Sequence, residues 1–375
     1  MRSPYQSRRK IGLEYMKAKQ HWVGMDEDVE ERTVDFHLHK GSDIRKSRVT
    51  VALKDESLPY RRVKMTTSKS ANDKSVVRFI VLGNAGIAHY HENMRIDGFH
   101  AAIGDKLVSL KDSIDFIVMT GNNFLDRGVQ DCNDPQWEKV WFERLRVEEL
   151  NVPWFTVLGD KDMLGNPSAQ YTLHKCKGKE EMSKYWITPS ENYFLIIDRQ
   201  VRLFFLNTNK KASKPIDRVF SGVTNEAAEI VIGHHPIDDP MHHDGTSLLR
   251  SNIIALRSRH FETYICGHDP VLKHKKEDKR SHIVVGTSGG LITWRFSDFQ
   301  SAVAMNGSNG RGNTPTDQFN KKLYGFAQIT IMKNSDTKQV EFFTFEYNRY
   351  GAFHWEDPIR QRLYSHDEQH SFGIN

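Results

Sequence analysis

The sequence predicts an α/β fold whose strands present polar loops along one edge. Three observations predict it. Five short apolar runs end in glycine and a polar loop, at Gly83, Gly121, Gly159, Gly233 and Gly267. In the first half, segments of helical period separate these runs, the βαβ rhythm of a sheet with its site at the strand C-termini. In the second half, strand signals follow one another closely, without an internal repeat.

Taken in order, residues 1–75 are polar and hold 17 Lys and Arg against 11 Asp and Glu, while the other 300 residues carry a net −1. The acidic run Asp26–Glu31 interrupts this basic excess. Tyr5, Tyr15, Trp22, Phe36, Leu38 and Tyr60 are anchors that a purely solvated tail does not need. Residues 1–75 are therefore read as an extended basic N-terminal arm that orders on a partner, ending in the linker-like stretch 66–75. A domain over 76–354 follows, and 355–375 reads as a C-terminal tail.

Val76–Gly83 reads as a buried strand, Met94–Leu110 as a helix and Ile114–Thr120 as the next strand. Trp137–Leu150 has helical spacing, and Val152–Leu158 is the third strand. Tyr193–Asp198 and Val201–Asn207 read as a hairpin. Glu229–Gly233, Glu262–Gly267, Ser281–Gly286, Ala327–Met332 and Val340–Glu346 complete the strand series. Asn306–Thr316 has the composition of a surface loop.

The totals exclude several classes. The net charge is +5 over 375 residues, and no apolar run is long enough to span a membrane. The first residues lack the apolar core of a secretory signal. Three cysteines without C-x-x-C spacing argue against a disulfide framework and suit a reducing compartment. A cytoplasmic, cytoskeletal or flagellar location is expected, with a mitochondrial one as the alternative because the N-terminus is Arg-rich.

The five loops read Gly83-Asn84-Ala85-Gly86, Gly121-Asn122-Asn123-Phe124-Leu125, Gly159-Asp160-Lys161-Asp162, Gly233-His234-His235-Pro236 and Gly267-His268-Asp269-Pro270. Their order and spacing resemble the signature blocks G-D-x-G, G-D-N-F-Y, G-N-H-D, G-H-x-P and G-H-x-H of the purple acid phosphatases, members of the calcineurin-like metallophosphoesterases. The resemblance covers about residues 76–350. It implies a four-layer αββα sandwich with an N-terminal extension. In that family seven side chains hold two metals, and a metal-activated water attacks a phosphate ester.

Carried over position by position, little of the implied site remains. Asn84 and Asn122 stand where the family has aspartates, Leu125 where it has its tyrosine ligand, and Pro270 where it has a second histidine. Asp160 replaces an asparagine ligand and Lys161 a histidine that serves the leaving group. His234 and His268 match. One half-site has lost its charge and donors. In the other, Asp160, His234 and His268 retain the chemistry to hold one Zn²⁺. The expectation is a degenerate former site with no catalytic residue and no cofactor, one Zn²⁺ being the alternative. Lys161 is expected to neutralise Asp160 or Asp162 as a buried ion pair. Histidines 234, 235 and 268 also read as strand caps or core residues, and Asp126, Asp162 and Asp269 as loop-shaping.

The functional expectation is a catalytically inactive pseudo-phosphatase serving as a scaffold in a larger intracellular assembly. An axonemal microtubule is favoured over a mitochondrial ribosome, because tubulin's acidic surface suits a basic arm. The alternatives are a residual mononuclear phosphoesterase and a binder of nucleic acid or phosphate ligands, although no nucleic-acid motif is present.

Overall fold

The computed structural model describes residues 19–22, 31–40, 43–52, 61–68, 76–87, 94–125, 127–198, 201–209, 228–237, 261–277, 280–289, 317–321, 324–332, 338–347 and 353–363. The strands are, in order, β1 (Lys19–Trp22), β2 (Glu31–Lys40), β3 (Asp43–Ala52), β4 (Arg61–Ser68), β5 (Val76–Leu82), β6 (Phe116–Met119), β7 (Trp154–Thr156), β8 (Trp186–Ile187), β9 (Tyr193–Ile197) and β10 (Val201–Phe205). There follow β11 (Ala228–Ile232), β12 (Thr263–Cys266), β13 (Leu272–Glu277), β14 (Arg280–Val285), β15 (Asp317–Lys321), β16 (Tyr324–Met332), β17 (Lys338–Tyr347), β18 (Phe353–Trp355) and β19 (Ile359–Arg362). Helices α1 (Met94–Leu110), α2 (Val147–Leu150), α3 (Pro167–Thr172) and α4 (Glu180–Tyr185) connect strands of the first half.

Two mixed sheets form the α/β sandwich. Eleven strands run β1-β2-β3-β4-β9-β10-β11-β12-β14-β13-β15, and eight belong to the other sheet, β18-β17-β16-β5-β6-β7-β8 with β19 paired to β17. Alternation along β9–β12 and β14 decides which face is which. Leu195, Leu203, Ile230, Ile265 and Ile283 join the main core with the second sheet's Phe79, Ile117 and Phe155. Their neighbours Phe194, Phe204, Val231, Tyr264 and Val284 form a separate cluster on the opposite face. Both faces of the central strands are thus apolar, as parallel strands covered on two sides require.

The strands β5, β6 and β7 pair in parallel, as do β11, β12 and β14. Their C-terminal ends therefore bring the glycine-terminated loops to one edge of the sandwich.

Three expectations need correction. First, residues 31–40, 43–52 and 61–68 are not an arm. They are a meander, β2-β3-β4, joined to the sheet where β4 pairs in parallel with β9. Val34, Phe36, Val49, Val51, Val63 and Met65 enter the main core. Phe36, read as a partner anchor, packs at 6.0 Å from the Tyr185 ring of its own chain. Tyr5, Tyr15 and Tyr60 lie outside the described residues. Second, residues 355–363 are not a free tail, because β19 pairs with β17 and Leu363 is fully buried. Third, Trp137–Leu150 is not one helix. A π-helical turn over Trp137–Phe142 is separated from α2 by Arg146 in the left-handed conformation, φ 52°. The Trp137 and Trp141 rings meet Trp186 at 5.0 and 4.9 Å, so packing overrides the helical period. The loop expected at Asn306–Thr316 lies outside the described residues. Among the described residues, no helix is long and apolar enough to cross a membrane.

Candidate metal centre

The loops pack backbone against backbone, which explains the glycines that end the strands. Gly121 has φ +94°, and a Cβ there would meet His234 Nδ1 at 2.5 Å. A Cβ on Gly159 would meet the backbone nitrogen of Asn122 at 2.3 Å and His234 Cε1 at 2.7 Å. Backbone hydrogen bonds stitch the loops across both sheets, Asn84 N–H to Gly121 O, Gly86 N–H to Asn122 O and Gly267 N–H to His234 O. Asn84, Asn122 and His268 all have positive φ, 52°, 53° and 64°. Asparagine tolerates that region better than most residues.

Asp162 organises this framework. Its carboxylate is fully buried and accepts from the backbone N–H groups of Gly159, Asn123 and Phe124 and from Gln170 Nε2, at 2.8–3.1 Å. It holds the second and third loops in register, so the loop-shaping role read from the sequence fits its surroundings.

The two halves of the site differ in chemistry. Asn84 and Asn122 are buried and bonded to each other, Asn122 Nδ2 donating to Asn84 Oδ1 at 3.1 Å. Asn84 Nδ2 donates to the carbonyls of His268 and Gly286, both at 2.9 Å. Asn122 Oδ1 accepts the Lys161 N–H at 2.9 Å. The amides are thus committed to the protein. Leu125 is buried beside Gly86, and Pro270, in the turn after His268, offers no donor. These residues do not fit a metal.

In the other half, Asp160, His234 and His268 converge. His234 Nε2 lies 3.1 Å from Asp160 Oδ1 and 3.2 Å from His268 Nδ1, and His268 Nδ1 lies 3.6 Å from Asp160 Oδ1. Ligands about 2.0–2.1 Å from a tetrahedral ion sit about 3.3 Å from one another, so this triangle matches one face of such a coordination shell. The tautomer agrees. His234 Nδ1 faces the Thr120 carbonyl at 2.8 Å. A carbonyl only accepts, so Nδ1 carries a proton, and Nε2 is the atom turned toward the Asp160 carboxylate. A proton or a cation is needed between them, and a backbone carbonyl fixing the remote nitrogen is the usual support of a metal-binding histidine. The donor set fits one divalent metal. When bound, such a metal supplies Lewis acidity and lowers the pKa of a bound water.

His235 completes a group of three imidazoles whose donor atoms lie within 4.8 Å. It was not among the ligands read from the sequence, although the His-His dipeptide was visible. Its Nδ1 shares a proton with Thr208 Oγ1 at 2.8 Å. Lys161 Nζ reaches Asp160 Oδ2 at 3.0 Å, with side chains 40% and 34% exposed. The expected ion pair forms with Asp160, but it is half-exposed rather than buried. Burial opposes ionisation of Asp160, yet the His234 and His268 hydrogen bonds and Lys161 outweigh it and hold the carboxyl well below the usual range. His268, 27% exposed, is not a core histidine. Asp126 lies outside the described residues.

This architecture, two mixed sheets with the site on loops at the strand C-termini, is the metallophosphoesterase α/β sandwich. The homologues of the chain are purple acid phosphatases of the calcineurin-like group. It is 26% identical to purple acid phosphatase 3 of Arabidopsis thaliana over 249 residues, 59% of this chain and 65% of that one. It is 27% identical to human tartrate-resistant acid phosphatase type 5 over 207 residues, 48% and 62% of the two chains. The match thus spans less than two thirds of either relative. Among solved structures, GAP50, the anchor in the inner membrane complex of Plasmodium, is similar with a TM-score of 0.53 at 21% identity, covering 78% of this chain and 90% of that one. Purple acid phosphatase PPD1 of yellow lupin seeds is similar with a TM-score of 0.51 at 12% identity, covering 88% and 72%. No protein-family model matches the chain.

The expectation of a chain without a cofactor is overturned. Its homologues are dimetal enzymes, and the cluster of His234, His235 and His268 offers metal donors.

Proposed function

We propose that the chain is a non-catalytic protein on the purple acid phosphatase fold, working as a binding and scaffold component of a larger assembly. The Asn84–Asn122 amide pair carries this reading. Where the family's bridging carboxylate would stand, two neutral amides spend their hydrogen-bonding capacity on each other, on two carbonyls and on a backbone N–H. A phosphoryl clamp of two cations needs anionic bridging ligands, and Leu125 and Pro270 supply none. A metal held by Asp160, His234 and His268 would act in this reading as a structural element. The same fold serves as an anchor in Plasmodium GAP50.

The proposed partner surface is the outward face of β2–β4. Lys46 and Lys64 project there, exposed, and among the described residues neither has a carboxylate partner. A depression of about 310 Å³ lies beside Lys46 and Thr66, where Arg48 is already paired with Asp35 at 2.6 Å, so Lys46 and Lys64 carry the positive charge of this face. An acidic polypeptide surface, such as that of tubulin, complements it.

The test is hydrolysis of p-nitrophenyl phosphate across acid to neutral pH, with iron, zinc or manganese supplied. The expected rate equals that of His234→Ala. A clear excess over that variant, abolished by chelation, would overturn the proposal in favour of a residual phosphoesterase, the reading that the three-donor triangle favours.

A further inference from the structure

Arg32 sits on the inner face of β2, in line with Val34 and Phe36, and is 3% exposed. Val51 stands directly opposite it on β3. Arg32 Nη2 donates to the carbonyl of Ser183 in α4 and lies 3.4 Å from Ser183 Oγ. Burial pushes the guanidinium down to about 9, so it still carries its charge at neutral pH. A guanidinium has five N–H donors in a fixed fork, so it can serve Ser183 and another acceptor at once.

A small cavity adjoins it. The cavity measures about 10 Å³, with Arg32, Tyr171, His174 and Trp186 among its walls. That is roughly one water-sized sphere, so the space takes a single atom-sized occupant and no tetrahedral oxyanion. Much of the polar wall is already committed. Gln170 spends its side chain on Asp162 and Asn123, and its carbonyl accepts the Trp186 indole N–H at 2.9 Å. Thr188 Oγ1 is bonded to Thr156 Oγ1 at 2.7 Å. The Tyr171 hydroxyl differs: its oxygen is buried and, among the described residues, has no hydrogen-bond partner. Burial above all, with Glu191 and Asp162 adding to it, pushes the pKa of this phenol up, so it remains an O–H donor at neutral pH. Other walls, Leu173 and Ile187 among them, are apolar.

An occupant is therefore met by an N–H fork and an O–H, with few acceptors in return. Water needs both kinds of partner. A monoatomic anion needs donors, a positive charge and little room. His174 senses the same field. Burial pushes its imidazole down to about 4, and the charges of Arg32, Lys175 and Arg61 act in the same direction.

We propose that this cavity is a halide site, in which Arg32 and the Tyr171 hydroxyl hold one chloride ion. The ion ties β2 of the meander to α3, the helix whose Gln170 holds Asp162, and so braces the framework of the candidate metal centre.

The experiment follows thermal unfolding of the full chain as sodium gluconate is exchanged for sodium chloride at constant ionic strength, which leaves screening unchanged. The expected melting temperature rises with chloride and saturates, by a few degrees in all, and bromide acts in its place. Tyr171→Phe removes only a hydroxyl that the walls leave unbonded. This variant should melt with wild type in gluconate and lose most of the chloride gain. The His174 resonance, assigned by its loss in His174→Gln, should titrate at higher pH in chloride than in gluconate, because an anion in the cavity opposes the neighbouring cations. A crystal soaked in bromide should show an anomalous peak between Arg32 and Tyr171. Identical melting curves in chloride and gluconate would overturn the proposal. So would an equal chloride gain in Tyr171→Phe, or a cavity that holds only water in the bromide crystal.

Discussion

Replacing Asp162 by asparagine tests the framework of the site. The carboxylate accepts four hydrogen bonds, two on each oxygen. Oδ2 takes Gly159 N–H and Asn123 N–H, and Oδ1 takes Phe124 N–H and Gln170 Nε2. The amide of Asp162→Asn keeps one acceptor oxygen. Whichever way it is turned, its NH2 faces two donors, so two buried donors lose their acceptor. Each such loss costs about 1–3 kcal/mol, which places the variant about 2–6 kcal/mol below wild type. Burial pushes the Asp162 carboxyl up, so removing the charge acts in the opposite sense. All four neighbours donate, however, and the ionised form is the one that satisfies them. Urea unfolding followed by tryptophan fluorescence measures the difference as a shift in midpoint at unchanged slope. A loss below about 0.5 kcal/mol, the range of ordinary surface substitutions, would refute the role given to Asp162.

Three further outcomes follow from the same structure. His100 and His274 are fully buried, and burial pushes both imidazoles down to about 4. The unfolded chain therefore binds protons that the folded one refuses, and stability falls as pH drops from about 6.5 toward 4, by an amount on the order of 3 kcal/mol per histidine; denaturant midpoints at pH 7 and pH 5 check this, and equal midpoints would contradict it. Restoring both carboxylates in Asn84→Asp/Asn122→Asp sets two anions where the amides now stand 3.1 Å apart, so without metal the melting temperature should fall by several degrees, and added zinc or manganese should recover it; calorimetry with and without metal decides. Charge reversal in Lys46→Glu/Lys64→Glu should weaken binding to a polyglutamate peptide about tenfold at low salt, with melting temperature unchanged, and fluorescence anisotropy reads the difference.

The edge that carries the site was legible because its signals are local. A β-branched run ending in glycine marks a strand and a close approach together, and Gly121 and Gly159 show why no other residue fits. The hairpin of β9 and β10 and helix α1 were legible for the same reason. The meander β2–β4 was not, since its strands mix charge with apolar residues and their burial depends on β9, far along the chain. Arg32 and Lys184 are buried despite their charge, so composition misled there. In the site, Asn84, Asn122, Asp160, Lys161, His234 and His268 are gathered as their blocks imply. The identity of His234 gave no hint of its tautomer, which the Thr120 carbonyl sets.

The parallel pairing of β4 with β9 has a consequence for how the chain is made. The meander leaves the ribosome before its partner strand β9, with an inner face of Val34, Phe36, Val49, Val51, Val63 and Met65. Its partner strand is complete only at Ile197, which at ordinary synthesis rates comes on the order of ten seconds later. During that interval these strands have an apolar face and an unpaired edge but no sheet to join, while β5–β8 are synthesised and assemble beside them. A segment that translation delivers before β5–β8 is locked only after them, and a nascent-chain holdase would be needed most before residue 197 emerges.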